Sequence, residues 1–272
     1  MLTRTTPTST SVQVRRGIRA AAAGTAALLA LSLAAQPAVS TTLSGQPGSA
    51  VMAAGRAGKI TTEFRYTFDR GETLRPRSIV RDVTGHRNNG SVFVSNGGRL
   101  HKVNGHPGKA ALFPCRGCGR AVIGAPDKRF LDPGQHPFWF GATIKVRDDQ
   151  ALPGRDPNIM QKGVINQAGG RWKLELIGSH PQCTITGRDG TVVVRSDRRV
   201  DNATWHTLQC RRQDGTISLI VDGTVDASET AATGGLSNTA PIRIGTKNVG
   251  SAGDDDQFHG RIDSVFLKID RR

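Results

Sequence analysis

A tightly turned pair of predicted strands, Trp205 to Gly223, is the sequence feature that most limits the fold. In this stretch, WHTLQCRRQDGTISLIVDG, apolar and β-branched residues alternate with polar ones over Trp205 to Arg212 and again over Thr216 to Val221. Gln213-Asp214-Gly215 between the two runs supplies the turn chemistry of a short hairpin. A second Asp-Gly pair, Asp222-Gly223, turns the chain again. The segment therefore predicts one hairpin of a larger antiparallel sheet.

From Thr61 onward the chain repeats this pattern of short strands at regular spacing. Glu63 to Phe68 alternates strictly and places its aromatic residues on one face. Further strands are predicted at Ser91 to Val94, Ala110 to Phe113, Ala121 to Ile123, Phe138 to Val146, Asn158 to Val164, Arg171 to Ile177, Gln182 to Thr186, Thr191 to Arg195 and Pro241 to Gly245. The best helix candidate, Ala227 to Gly234, lacks an apolar stripe of helical period. These patterns predict an all-β protein, built as an antiparallel two-sheet β-sandwich.

The last predicted strand contains an irregularity. Val265, Leu267 and Ile269 alternate, but Ile262 is out of phase with them by one residue. A β-bulge near Asp263 would restore the phase and redirect the Asp263 side chain. A carboxylate placed in this way could cap a turn or bind a cation.

The N-terminal segment has the pattern of a secretory signal peptide. Arg15, Arg16 and Arg19 precede the small apolar run Ala20 to Ala35, and Ala38-Val39-Ser40 offers small residues for cleavage. The apolar run is shorter than the roughly 20 residues of a membrane-spanning helix, so we expect no transmembrane segment after signal removal. Arg15-Arg16 matches a twin-arginine signal poorly, and we favour ordinary export with the twin-arginine route as the alternative.

These features divide the chain into a signal peptide at residues 1–40, a flexible leader at 41–60 and a single domain at 61–272. The leader is small, polar and rich in glycine, without a stable period. No linker-like break follows it. We therefore expect the protein to be extracellular, either secreted or associated with the cell envelope.

The positive charge narrows the choice of partners. The chain has 37 Lys and Arg against 22 Asp and Glu, a net charge of +15, and it stays at about +11 when the four arginines before residue 40 are removed. Arginines are scattered singly or in pairs, which argues against a dedicated nucleic-acid arm. Outside a cell, such a surface is suited to acidic glycans, anionic wall polymers or lipid head groups. The alternative interpretation is that the charge only keeps the protein soluble.

All four cysteines, Cys115, Cys118, Cys183 and Cys210, lie in the exported part of the chain. An even count in an oxidising compartment predicts two disulfides, for which three pairings are possible. Cys115 and Cys118 could instead form a redox pair or half of a zinc site, but the sequence lacks the second half and the helix that these would need. If the strand around Cys183 is a neighbour of the hairpin, a bond to Cys210 would join the two.

The order and spacing of several short segments resemble the laminin G-like, or concanavalin A-like, jelly-roll domains of secreted bacterial proteins. The segments are Phe68-Asp69, Asp82-Val83-Thr84-Gly85, Asn88-Asn89-Gly90, Trp172-Lys173-Leu174, Trp205-His206-Thr207-Leu208, Leu219-Ile220-Val221-Asp222-Gly223, Ile244-Gly245 and Phe258-His259-Gly260-Arg261-Ile262-Asp263-Ser264-Val265. The resemblance covers Thr61 to about Asp270.

This resemblance implies two curved antiparallel sheets with the first and last strands adjacent. It also implies one structural Ca²⁺, for which Asp263 is the best side-chain ligand, with carbonyl oxygens near Gly90 and, more weakly, Asp69. Family members include glycan-binding modules, adhesion domains and glucanases, and the fold does not choose among them. The acidic run Asp254-Asp255-Asp256 is a further calcium candidate, although a solvated turn is the simpler interpretation.

Catalytic patterns are weak. A retaining glycosidase needs two carboxylates about 5 Å apart, whereas Glu175 stands alone in a strand that we expect to face solvent. His206 is better explained as a hydrogen-bonded structural residue than as a general base. Trp139, Trp172 and Trp205 all fall in predicted strands, where core packing is the usual role, which weakens the case for a conventional lectin.

The sequence therefore favours a secreted, non-catalytic module that binds a glycan or an anionic cell-envelope polymer. The alternatives are a glycoside hydrolase-like enzyme on the same fold and a structural adhesion domain that binds protein.

Overall fold

The computed structural model describes residues 60–147, 156–250 and 256–271. The predicted signal peptide at 1–40 and nearly all of the leader at 41–60 lie outside the described residues. The described elements are β1 (Ile60–Tyr66), β2 (Ile79–Val80), β3 (Gly90–Ser95), β4 (His101–Asn104), β5 (Lys109–Leu112), β6 (Arg120–Ala125), the 3₁₀ turn η1 (Arg129–Leu131), β7 (Phe138–Arg147), β8 (Asn158–Lys162), β9 (Arg171–Ile177), β10 (His180–Gly187), β11 (Gly190–Arg195), β12 (Asn202–Gln213), β13 (Thr216–Val221), β14 (Thr224–Thr230), β15 (Ile242–Ile244) and β16 (Arg261–Asp270).

The strands form two antiparallel sheets. Sheet A has the order β14-β13-β12-β7-β16-β5-β4, and β1 also pairs with β16. Sheet B has the order β11-β10-β9-β8-β15-β6-β3-β2. The predicted all-β sandwich is confirmed, and the first and last strands are adjacent as the resemblance implied. In the part of the chain that the structure describes, no helix is long and apolar enough to span a membrane.

The predicted hairpin at Trp205 to Gly223 is formed by β12 and β13. Gln213 pairs with Thr216, which leaves Asp214 and Gly215 as a two-residue turn with φ angles of 50° and 74°. Positive φ at both positions is the requirement of a type I′ turn, which asparagine, aspartate and glycine meet best. Asp222 and Gly223 make the next turn in the same way, with φ angles of 52° and 83°.

The last strand contains the predicted bulge. The register of β16 against β7 shifts between Asp263 and Phe266, and Ser264 has a φ of 48°. The shift puts both Ile262 and Val265 into the core. It also marks where the other edge of β16 changes its partner, because β5 pairs with Arg261 and Ile262 whereas β1 pairs from Val265 onward.

The core lies between the two sheets. Phe64, Tyr66 and Phe140 from sheet A are fully buried, as is Trp172 from sheet B, and the Phe140 and Trp172 ring centroids are 4.5 Å apart. Each large aromatic residue buries 150–250 Å², so contacts of this kind dominate the stabilisation of a sandwich core.

The disulfides are Cys115–Cys118 and Cys183–Cys210. Cys183 lies in β10 of sheet B and Cys210 in β12 of sheet A, and both are fully buried. The two strands are therefore not neighbours in one sheet, and the bond instead joins the two sheets through the core. Cys115–Cys118 closes the exposed turn between β5 and β6.

The two disulfides should differ in their effect on stability. The Cys183–Cys210 bond spans 27 residues, and the chain-entropy model gives it about 3 to 4 kcal/mol, against about 2 kcal/mol for the three-residue separation of Cys115–Cys118. Urea unfolding should therefore show a clearly larger loss for Cys183→Ala/Cys210→Ala than for Cys115→Ala/Cys118→Ala. Equal losses would contradict the role of the buried bond as the main covalent tie.

Candidate functional site on the outer face of sheet A

Five strands of sheet A each contribute one residue to a row that crosses the sheet at right angles to the strands. Lys145 pairs with both Trp205 and Arg261, Arg261 also pairs with Leu112, and Leu112 pairs with His101. Residues paired across strands share a face. The residues on either side of Lys145 are buried in the core, so this set, which we call the cross-strand row, lies on the outer face.

The centre of the cross-strand row holds two unpaired cations. Lys145 and Arg261 are directly opposite each other on β7 and β16, and both are half-buried. Neither side chain makes a hydrogen bond or ion pair within the described part of the chain. Like charges directly opposite each other across a strand pair destabilise a sheet. The pair therefore carries a small cost in stability that an anion bound between the two side chains would offset.

A cavity of about 400 Å³ opens on the row. Its charged lining consists of Arg99, Lys145 and Arg261, and its other walls include Leu112 of the row. The full lining is Gly97, Arg99, His101, Leu112, Phe113, Pro114, Cys115, Cys118, Lys145, Gly260 and Arg261. This lining combines three cations with apolar surface and includes no carboxylate, so it favours an anionic group attached to a partly apolar body.

Gly260 allows β16 to begin beside this cavity. Its φ is 142°, and a Cβ at this position would lie 2.6 Å from the Lys145 carbonyl oxygen. A larger residue would push the start of β16 away from β7, and with it Arg261 away from Lys145.

Two of the three tryptophans lie on this outer face. Trp172 is in the core as expected, but Trp139 and Trp205 are half-buried, so the expectation of core packing is wrong for them. The Trp205 ring stacks on His106 with centroids 6.0 Å apart and an interplanar angle of 16°. Half-exposed aromatic rings can pack against the apolar faces of sugars, which strengthens the case for glycan binding.

Further cations lie along the same face toward the other end of β16. Trp139 pairs with Arg211 on one side and Lys268 on the other, and Arg65 pairs with Phe266. The Lys268 ammonium lies 5.3 Å from the Phe266 ring centroid. Cations interleaved with aromatic rings therefore extend well beyond the row.

The predicted metal ligands are only partly brought together. The turn between β4 and β5 covers Asp263, which is fully buried, and the His106 N–H donates to Asp263 Oδ2 at 2.9 Å. The Lys109 N–H donates to Asp69 Oδ1 at 2.8 Å, so the same turn also holds Asp69.

The surroundings of Asp263 include the charge of Asp69. Burial raises the pKa of Asp263 above its ordinary value, and the negative charge of Asp69 raises it further against the hydrogen bonds from His106 and Ser264. Gly90 is placed differently. It begins β3 in sheet B, and its Cα faces Ile123 and Tyr66 in the core.

Only the last residue of the acidic run before β16, Asp256, is among the described residues. Asp254 and Asp255 lie outside the described residues. Asp256 is buried and accepts hydrogen bonds from Arg120 at 2.8 Å and Thr246 at 2.6 Å, so it acts as a structural ion-pair partner. Over the described ranges, no group of three or more His, Cys, Asp or Glu side chains could hold a metal ion.

Glu175 is not the solvent-facing residue that the sequence predicts. It is 5% exposed, its Oε1 accepts a hydrogen bond from Gln182 at 3.1 Å, and its Oε2 is paired with Lys173. Its described contacts include no second carboxylate, which is what a glycosidase centre would require.

His206 is a structural residue, as predicted. Its Nδ1 lies 2.9 Å from Asp222 Oδ2 and its Nε2 2.9 Å from Asn202 Oδ1. Burial alone would raise the pKa of Asp222, but hydrogen bonds from His206 and the Thr207 N–H, together with the nearby positive charge of Arg198, hold the pKa below its ordinary value. These contacts tie the turn after β13 to β12.

Comparison with known families supports the fold. The model of the concanavalin A-like lectin/glucanases superfamily matches residues 144–267, from β7 to β16. The resemblance to laminin G-like and concanavalin A-like jelly rolls is thus confirmed. A comparison of the sequence with curated proteins found no match.

Solved structures with the same fold include sugar-binding and toxin domains. Domain 4 of AbnA, a GH43 extracellular arabinanase from Geobacillus stearothermophilus solved with arabinotriose, aligns with a TM-score of 0.58 and 17% identity over 78% of this chain and 94% of that one. The binding domain of Paraclostridial Mosquitocidal Protein 1 aligns with a TM-score of 0.57 and 16% identity over 76% of this chain and 48% of that one.

The binding domain of botulinum neurotoxin serotype G aligns with a TM-score of 0.54 and 12% identity, over 76% of this chain and 47% of that one. This chain thus spans about half the length of the two toxin chains. At these identities the likeness concerns the fold.

The lowered pKa of Asp222 predicts a pH-dependent contribution to stability. The contribution is present above the ordinary carboxyl pKa of about 3.9 and is lost as the pH falls through the lower pKa of the folded state. Asp222→Asn should therefore be less stable than the wild type in urea at pH 7, and the difference should shrink toward about pH 2. Asn tolerates the positive φ of this position.

Asp197→Asn is the matched control, since Asp197 is exposed and its side chain has no described partner. If Asp222→Asn lowers the free energy of unfolding by the same amount at pH 7 and at about pH 2, the Asp222 carboxylate does not stabilise the fold through its lowered pKa.

Proposed function

We propose that the protein is a non-catalytic binding module for an acidic glycan or an anionic cell-envelope polymer, which it contacts with the outer face of sheet A. The observation that supports the proposal is the unpaired Lys145 and Arg261 couple at the mouth of the cavity. An anion placed between the two side chains would relieve their repulsion and gain charge-assisted hydrogen bonds.

A polymer suits this face better than a single small anion. Arg65, Arg211 and Lys268 add positive charge along the face beyond the row. Each exposed contact with an anion is weak, but contacts along one chain act together because the second and later ones are intramolecular. The half-exposed rings of Trp139 and Trp205 provide apolar surface between the cations.

The proposed site of action is outside the cell. The signal-like segment at residues 1–40 supports export, and two disulfides are stable in an oxidising compartment. The strong positive charge of the exported part suits anionic polymers at a cell surface.

Binding without catalysis is favoured by the surroundings of Glu175. Both glycosidase geometries require a second carboxylate, about 5 to 9.5 Å away, to act as nucleophile or base. Glu175 instead contacts Lys173 and Gln182.

A structural Ca²⁺ belongs to the proposal as well. Asp69 and Asp263 would hold it, and the ion would neutralise two carboxylates that face each other's charge. Carbonyl oxygens near Gly90, at the start of β3, are the further ligand candidates. The ion would tie the turn between β4 and β5 to the outer face.

The wild-type protein should bind anionic polysaccharides and not neutral ones of the same length. Affinity for polygalacturonate should fall roughly tenfold or more between low and high salt, because screening weakens attraction between exposed charges. Lys145→Glu/Arg261→Glu should abolish binding at low salt, as measured by isothermal titration calorimetry.

Arg171→Glu/Arg188→Glu is the matched control, with the same change of charge in β9 of sheet B and in the turn between its strands β10 and β11. The proposal is wrong if the wild type binds no acidic glycan or envelope polymer at low salt. It is also wrong if the control loses as much affinity as the Lys145 and Arg261 variant.

The calcium proposal predicts that Ca²⁺ raises the thermal unfolding midpoint of the wild type and that a chelator reverses the rise. Asp263→Asn should abolish this rise in the unfolding midpoint, and Asp69→Asn should reduce it, since each substitution removes one charged ligand. If the unfolding midpoint of Asp69→Asn/Asp263→Asn still rises with Ca²⁺ as in the wild type, the ion does not bind at these two residues.

A further inference from the structure

The cross-strand row has the shape of an extended binding site. Its five members lie on consecutive strands, β12, β7, β16, β5 and β4, which are about 4.8 Å apart, so the row is about 19 Å long. It begins at the stacked rings of Trp205 and His106 and ends at the cavity beside His101. A ligand that uses all of it must be long, narrow and aligned across the strands.

The chemistry changes along the row in a fixed order. The aromatic wall comes first, the opposed cations Lys145 and Arg261 follow, and the partly apolar cavity with Leu112 comes last. The next row along the strands is uncharged at its surface, because Thr143 and Thr207 hydrogen-bond to each other at 3.1 Å and Asp263 is covered. The cross-strand row is thus set apart from the cations nearer the other end of β16.

From this arrangement, and resting on the proposed function, we infer that the ligand is a linear polysaccharide of uronic acids that lies along the cross-strand row. One sugar ring packs on Trp205, a carboxylate sits between Lys145 and Arg261, and the adjoining sugar enters the cavity. Arginine recognises planar carboxylates with paired hydrogen bonds, whereas lysine acts as a point charge, so the couple suits a single carboxylate approached from two sides.

The experiment compares hexagalacturonate with its methyl ester, which keeps the sugar rings and removes the charges. Calorimetry with the wild type should show affinity at least tenfold higher for the free acid. Affinity should rise from the disaccharide to the tetrasaccharide and then level off once the chain exceeds the row. A sulfated oligosaccharide of equal length tests whether charge alone suffices, and it should bind more weakly than the uronate.

Variants assign the roles along the row. Lys145→Gln and Arg261→Gln should each lower affinity for the free acid about tenfold or more and leave the weak binding of the ester unchanged. Trp205→Ala should weaken the binding of both. Arg171→Gln, in β9 of sheet B, should change affinity less than twofold, and thermal unfolding will establish that each variant is folded.

The outcomes separate this inference from the proposed function. Tighter binding of the sulfated chain, or affinity that does not rise beyond the disaccharide, would overturn the uronate row while leaving anionic binding intact. Equal affinity for acid and ester, or equal losses in Arg171→Gln and Arg261→Gln, would contradict anionic binding on this face as well. Failure of the wild type to bind any anionic polymer would overturn both.

Discussion

The last strand must keep one apolar face in the core while it changes partner part of the way along. β16 pairs with β7 along its length, but its other edge meets β5 before the bulge and β1 after it. An uninterrupted alternation would turn either Ile262 or Val265 out of the core. The extra residue at Ser264 solves this conflict, and the two ends of the domain can therefore close in one sheet.

The same bulge organises the outer face. Arg261 and Asp263 before it, and Phe266 and Lys268 after it, all point away from the core, so both ends of β16 contribute to one continuous surface. The turn between β4 and β5 then covers Asp263, which removes the one carboxylate of β16 that lies near the cations of the row. The accessible part of the row is positive and aromatic, and the proposal of an anionic ligand rests on it.

Much of the fold could be predicted from local patterns. The Asp214-Gly215 turn, the strict alternation of β1 and the phase error at Ile262 each have a short-range cause, either a backbone angle or the two-residue period of a strand. Contacts between the two sheets are not predicted by any such local pattern. The sequence could link Cys183 and Cys210 only on the condition that their strands are neighbours, yet they meet through the core, because inward-facing side chains of the two packed sheets interdigitate.

The candidate site was harder to predict for a related reason. Trp139 lies between two core phenylalanines, so the segment is apolar without alternation. Only the alternating orientation of side chains in the folded sheet places Trp139 on the outer face. Asp69 and Asp263 were named as ligand candidates and do come together, whereas Gly90 belongs to the opposite sheet.

The sequence by itself determined the strands, the turns, the bulge and the excess of positive charge, since these depend on residues near each other in the chain. Only the tertiary structure decided that Trp205, Lys145, Arg261, Leu112 and His101 form one row, because strand order and register bring together residues as far apart in the chain as Arg261 and His101. A binding face on a β-sandwich is a property of register, and register is set by long-range pairing.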